Sequence, residues 1–167
     1  MSEIAAGTLE RLATTPSVLR ALVNGMPDAL LEQPLDHGWS VRDVLAHLAS
    51  VEPVTFRGRI ATMLASPGAD IANVDETELL EASGLRALPG GELLDRFEAD
   101  RRDSLALVAA LSPEELDVGG THSEVGRIDV ANIVNHIAYH DAAHLQQVAR
   151  ILALPADAAR GALRRYT

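Results

Sequence analysis

The chain has 167 residues, of which 47% are hydrophobic, and a formal net charge of −10. This length is enough for one domain with a buried core, so we predict a single domain over residues 1–167. The scattered arginines provide no basic face for nucleic acid, and no apolar run approaches the roughly 20 residues of a membrane span.

The first half of the chain has a helical period, and no segment alternates like a strand. The N-terminus lacks a basic stretch followed by an apolar one, so we predict no signal peptide and expect a cytoplasmic protein. A first helix is predicted over residues 3–24, with a fresh start at Thr15-Pro16. Ser40 and Asp43 are expected to cap the second helix, and Pro53 predicts a kink within it.

The second half continues the helical pattern. In chain order, its predicted elements are a connection over 68–91 with an acidic helical segment at 75–81, a third helix over 92–111, a capped turn from Ser112, a loop over 118–127 and a last helix over 129–154. Four principal helices with one long crossover and short extra helices predict an all-α four-helix bundle.

Three histidines, His136, His140 and His144, stand at four-residue spacing in the last helix. This spacing places successive Cβ atoms about 5–6 Å apart, so two imidazoles can reach one divalent ion. A helical wheel places His140 and His144 beside the apolar face and His136 at its margin. His47, among apolar neighbours on the second helix, is the candidate third ligand. We therefore predict a metal site formed by His47, His140 and His144, with hydrogen-bonded core packing as the alternative.

The other histidines are interpreted as accessory or surface residues. His136 is expected to be partly exposed or to support a ligand rather than to bind the metal ion itself. His37 and His122 are expected at the surface, although His122 could line the mouth of the site.

Two carboxylates, Glu52 and Asp141, are candidates for a catalytic role. Glu52 falls among apolar positions, where an unpaired carboxylate is costly. It either serves the metal site as a base or positioning group, or the kink at Pro53 turns it outward, or it pairs with an arginine such as Arg57 or Arg59. Asp141 lies in a His-Asp-Ala-Ala-His segment that superficially matches the HExxH motif of zinc proteases. Because aspartate is one methylene shorter than glutamate, this segment argues against a protease of that type.

The chain resembles the DinB/YfiT-like family of metal-dependent enzymes over nearly its whole length. The resemblance is carried by a tryptophan-started helix with one histidine (residues 39–52), by residues 122–126, and by HxxxH followed by glutamine (residues 135–147). It implies a four-helix bundle with an up-down-down-up path and a divalent metal ion, zinc or nickel. The ligands that it implies are the same three histidines, and members are often homodimers.

The family resemblance also suggests the type of reaction. Better understood relatives use a low-molecular-weight thiol, so we expect a thiol-dependent S-transferase or isomerase that acts on a small molecule. A metal-dependent hydrolase, or a non-catalytic stress protein that binds a metal or ligand, remains an alternative. The chain has no cysteine and no lysine. A nucleophilic thiolate of its own, a cysteine-ligated zinc site and Schiff-base chemistry are therefore excluded.

Overall fold

A computed structural model of the protein describes residues 2–166. Its helices, in chain order, are α1 (Thr8–Val23), α2 (Asp28–Leu31), α3 (Val41–Val51), α4 (Arg59–Ala65), α5 (Glu76–Ser83), α6 (Gly90–Ala109), α7 (Pro113–Leu116) and α8 (Val130–Ala159). A π-helical segment (Glu52–Gly58) joins α3 to α4, and 3₁₀ turns occur at Leu85–Ala87 and Gly161–Arg165. Among the described helices, none combines the length and apolar character that a membrane crossing requires.

The predicted four-helix bundle is confirmed. Its four long elements are α1, the continuous run from α3 to α4, α6 and α8. Helix α1 packs against α6 and α8, and α3 packs against the same two helices from the other side. Two clusters of buried apolar side chains fill the interior, one around α3, α5 and α6 and one around α4 and the first half of α8.

The second long helix begins as predicted and passes its proline without ending. Ser40 accepts a hydrogen bond from the backbone N–H of Asp43, and the Asp43 carboxylate accepts one from the backbone N–H of Ser40. The irregularity expected at Pro53 takes the form of the π-helical segment. Proline lacks an N–H and crowds the preceding turn, and a wider local winding is one way in which a helix tolerates it.

The predicted helix start at Thr15-Pro16 is wrong, because α1 runs through both residues. A proline inside a helix leaves the carbonyl four residues earlier without its usual donor. That carbonyl belongs to Leu12, and it accepts a hydrogen bond of 3.0 Å from Nη1 of the buried Arg101. A side chain from α6 thus replaces the missing backbone donor, and the helix continues.

The sequence analysis predicts no strands, and this prediction is also wrong. Three short strands form a sheet in the order β1 (Asp70–Ile71), β2 (Gly119–His122), β3 (Gly126–Asp129), with β1 parallel and β3 antiparallel to β2. A Cβ atom on Gly119 would lie 2.5 Å from the Ile128 carbonyl oxygen, and one on Gly120 would lie 2.6 Å from that of Ala69. Glycine is therefore required in β2, and these glycines made the segment look like a loop.

Helix α5 lies in the predicted acidic segment and packs against α3. Asp75 caps it by accepting hydrogen bonds from the backbone N–H groups of Thr77 and Glu78. The cap fixes the start of α5 beside the middle of α3, which brings Glu76 close to His47.

Candidate metal centre

The three histidines predicted as ligands meet between α3 and α8. The Nε2 atom of His140 lies 3.1 Å from Nε2 of His47 and 3.2 Å from Nε2 of His144. Each histidine offers one ring nitrogen, and these three atoms all lie within 4.8 Å of one another. The four-residue spacing on α8 therefore brings two imidazoles together as predicted, and the fold adds the third from α3.

The spacing of these nitrogens fits a single metal ion. Ligand nitrogens at about 2.0–2.1 Å from an ion with tetrahedral angles lie about 3.3 Å from each other. The two Nε2–Nε2 distances at His140 are close to that value. Three imidazoles leave at least one coordination position for water or substrate, the arrangement found in catalytic rather than structural zinc sites.

Burial keeps these imidazoles neutral, which is the form that binds a metal ion. Loss of solvation, aided by the neighbouring His144, lowers the pKa of His47 to about 3. Burial and the charges of the surrounding histidines lower the pKa of His140 to about 2. The pKa of His144 is also lowered by burial, against the opposing effect of its hydrogen bond to Gln147. At neutral pH all three ring nitrogens therefore have lone pairs available for coordination.

A chain of hydrogen bonds sets the tautomer of His144. The buried carboxylate of Asp36 accepts a hydrogen bond from Nε2 of Gln147 at 3.1 Å and forms an ion pair with Arg150, whose Nη2 lies 2.5 Å from Oδ1. The amide oxygen of Gln147 therefore points to Nδ1 of His144, 2.8 Å away, and accepts a hydrogen bond from the Nδ1–H group. With the proton on Nδ1, Nε2 of His144 presents its lone pair to the centre. Partners of this kind typically support metal-binding histidines.

Of the three other histidines, His37 and His136 lie in the environment that the sequence predicts, and His122 does not. His136 is exposed, as expected, and its ring centre lies 6.4 Å from that of His140. His37 is also exposed. The prediction that His122 lies at the surface is wrong, because β2 buries it to 7% exposure. Its Nδ1 accepts a hydrogen bond from the backbone N–H of Glu124, and its side chain lines a cavity together with His136.

Glu76 is a neighbour of the centre that sequence reasoning missed. Its Oε2 atom lies 3.6 Å from Nε2 of His47, and its side chain is 47% exposed. The carboxylate therefore stands at the solvent side of the three imidazoles. The sequence places Glu76 in an acidic segment whose individual carboxylates cannot be distinguished until α5 is packed against α3.

The two candidate carboxylates, Glu52 and Asp141, both bind a partner that the sequence did not suggest. Arg101, only 1% exposed, donates to both oxygens of Glu52 at 2.9 Å and to those of Asp141 at 2.5 and 3.0 Å. The proposed pairing of Glu52 with Arg57 or Arg59 is thus replaced by pairing with Arg101. Burial alone would lower the pKa of Arg101, but its hydrogen bonds to the two carboxylates outweigh that effect and raise it.

The burial of Arg101 could have been predicted from the sequence. It occurs at helical spacing within the buried positions of α6: Leu93, Leu94, Phe97, Arg101, Ser104 and Val108. An arginine in such a series predicts a buried carboxylate partner. The three groups that Arg101 of α6 joins come from α1, from the π-helical segment of the α3–α4 run and from α8, so the interaction connects all four long elements of the bundle. A catalytic role for Glu52 and Asp141 stays a prediction.

Comparisons with known proteins bear on the fold and the family of this chain. A structure of YfiT from Bacillus subtilis, described as "a probable metal-dependent hydrolase with an unusual four-helix bundle topology", superposes with a TM-score of 0.74. It is 23% identical in sequence, and the alignment covers 92% of each chain. A search of curated proteins finds no match. The sequence model of the DinB superfamily matches residues 11–148, and the chain therefore belongs to the DinB superfamily.

Proposed function

We propose that this protein is a metal-dependent hydrolase that acts on a small molecule and holds zinc or nickel with His47, His140 and His144. The observation that carries the proposal is the approach of three neutral imidazole nitrogens to one point beside a half-exposed carboxylate. The description of the similarly folded YfiT as a probable metal-dependent hydrolase supports the same class of reaction.

The metal ion would supply Lewis-acid chemistry, which polarises a carbonyl group and acidifies water or a thiol at neutral pH. The residues of the chain supply orientation and proton transfer. Gln147 and Asp36 hold the ring of His144 in one tautomer. Glu76 places a half-exposed carboxylate at the open side of the centre, and we assign to it the acceptance of a proton from the attacking water.

Glu52 and Asp141 are proposed to act as positioning residues. All four of their carboxylate oxygens receive hydrogen bonds from Arg101, so neither group is free to take a proton from substrate. Asp141 follows His140 directly on α8, and Glu52 lies five residues after His47 on the continuous α3–α4 run. Anchoring both carboxylates to one guanidinium therefore fixes the relative placement of the two helices that bear the histidines.

The test is hydrolysis of 4-nitrophenyl esters by zinc-loaded protein in the absence of thiol. We expect metal-dependent turnover, and we expect Glu76→Gln to reduce kcat by about 100-fold or more while zinc content is unchanged. Glu78→Gln is the matched control, because it removes an exposed carboxylate from the first turn of the same helix. Equal activity of Glu76→Gln and Glu78→Gln would remove Glu76 from the mechanism. Metal-independent turnover would contradict the proposal as a whole.

A thiol-dependent transferase or isomerase would use the same three histidines, and this interpretation stays a prediction. The two reactions differ in whether a thiol enters the site. Adding a small thiol to cobalt-substituted protein should change its visible spectrum if sulfur binds the metal ion. A strict requirement of turnover for thiol would favour the transferase or isomerase over the hydrolase.

A further inference from the structure

A cavity of about 310 Å³ lies beside the three-histidine centre, between α4, α5, the β2–β3 hairpin and the start of α8. Its wall includes Glu76, which approaches His47, and His136, which lies next to His140. The cavity thus reaches the edge of the centre. Its size is at the lower end of the range of about 300–1,000 Å³ that is typical of small-molecule sites.

One arginine in this wall has few partners within the protein. Arg59 donates one long hydrogen bond, of 3.4 Å, from Nη2 to the carbonyl of Ala72. Its Nε atom is buried and has no hydrogen-bond partner within residues 2–166. No carboxylate in that range lies within ion-pair distance of Arg59, whereas Arg57, two residues earlier, binds Asp100. Burial lowers the pKa of Arg59, with the charge of Glu76 opposing it.

Two further donors line the same cavity. The Nδ1 atom of His122 accepts from the backbone N–H of Glu124, so the neutral ring carries its proton on Nε2. The amide oxygen of Asn132 accepts from the backbone N–H of Asp129, which leaves its NH₂ group as a donor. An arginine, an imidazole N–H and an amide NH₂ are together suited to a carboxylate.

The nearby carboxylates of Glu76 and Glu124 do not accept hydrogen bonds from these donors, because both lie beside other groups. Glu76 has its carboxylate 3.6 Å from Nε2 of His47, at the centre's side of the cavity. Glu124 accepts a hydrogen bond from Nδ2 of Asn73. Val74, Val125 and Ile133 supply apolar surface in the same wall. A ligand here would therefore meet apolar contacts along its body and donors at its anionic end.

We propose that this cavity binds the substrate and that Arg59, with His122 and Asn132, recognises a carboxylate at the end remote from the reacting group. The substrate class is then a small, partly apolar carboxylate. That the other end reacts at the three histidines rests on the function proposed above, whereas the carboxylate site itself does not require a metal ion.

The first test uses ¹⁵N-labelled, metal-free protein and follows the Nε–H resonance of Arg59 by NMR. The resonance is assigned by its loss in Arg59→Lys, which keeps the positive charge but has no Nε. We expect butyrate to shift this resonance saturably and the neutral butyramide to leave it unchanged. Arg59→Gln should abolish butyrate binding, monitored through backbone amides of the cavity wall. Arg102→Gln, which removes an exposed arginine outside the cavity, should retain it. Absence of a butyrate-specific shift would overturn the proposal.

The second test compares two hydroxamates with zinc-loaded protein by calorimetry. Succinohydroxamate carries a carboxylate at the end where butyrohydroxamate carries a methyl group. We expect wild type to prefer succinohydroxamate by about tenfold, and Arg59→Gln to lose that preference while its affinity for butyrohydroxamate is unchanged. Equal binding of the two compounds by wild type would overturn carboxylate recognition while leaving the metal centre intact. If neither compound binds but butyrate still shifts Arg59 in metal-free protein, the carboxylate site stands and the proposed metal-dependent function fails.

Discussion

Replacing Arg101 with methionine should destabilise the protein severely. The substitution removes the positive charge of a residue that is only 1% exposed, and it leaves the buried carboxylates of Glu52 and Asp141 without their partner. It also leaves the carbonyl of Leu12 without the donor that compensates for Pro16. Methionine is long and apolar, so the loss of charge and hydrogen bonds dominates over the change in volume.

The size of the effect follows from these contacts. Removing one partner from a buried ion pair costs about 3–5 kcal/mol, and a buried carbonyl left without a donor adds about 1–3 kcal/mol. We expect Arg101→Met to lower the free energy of unfolding by about 5 kcal/mol or more. A domain is stable by only about 5–15 kcal/mol in total, so the variant should be close to unfolding.

Urea unfolding at pH 7, followed by circular dichroism in the presence of a chelator, measures this loss without a contribution from metal binding. Arg102→Met is the matched control, because Arg102 is the exposed neighbour on the same helix and should change stability by about 0.5 kcal/mol or less. Adding Glu52→Gln and Asp141→Asn to Arg101→Met should recover part of the loss by removing the unpaired charges. A cost of less than about 1 kcal/mol for Arg101→Met would refute the reasoning, since a buried partner of two carboxylates cannot be that dispensable.

Further predictions concern the histidines. His47→Ala and His140→Ala should each abolish the metal content that elemental analysis finds in wild type, whereas His136→Ala should retain it; equal loss in all three would contradict the assigned ligands. Gln147→Leu should weaken zinc affinity by about 10–100-fold in competition with a chromophoric chelator, because the ring of His144 loses its acceptor; unchanged affinity would rule out that role. The metal-free protein should lose stability as pH falls from about 6.5 to 4.5. The folded state holds the pKa of His47 and of His140 far below the ordinary histidine value of 6.5, so over this pH range these two histidines bind protons only in the unfolded chain. His140→Gln should reduce this slope by up to about 1.4 kcal/mol per pH unit in urea titrations, and an unchanged slope would show that His140 is not held neutral by burial.

Much of the bundle could be predicted from local sequence signals. Hydrophobic period and capping residues act within a few positions of the chain, which is why the cap at Ser40 and the acidic helix after Asp75 were predicted close to where they occur. The strands were missed because β2 begins with two glycines. These glycines serve a close backbone approach to β3 and to the residue before β1, not a side-chain pattern.

The sequence by itself determined the helical class, the inward side of the last helix and the pairing of His140 with His144, because all three depend on helical spacing. Only the tertiary structure decided which arginine pairs with Glu52 and Asp141, and that Glu76 faces His47. It also decided that Arg59 lines a cavity with a buried Nε that finds no hydrogen-bond partner among residues 2–166. These relations join residues at least 17 positions apart, for example Arg59 and Glu76 in the cavity wall or Glu52 and Arg101 in the buried ion pair. No local period encodes such distances, because they are set by how the helices pack against one another.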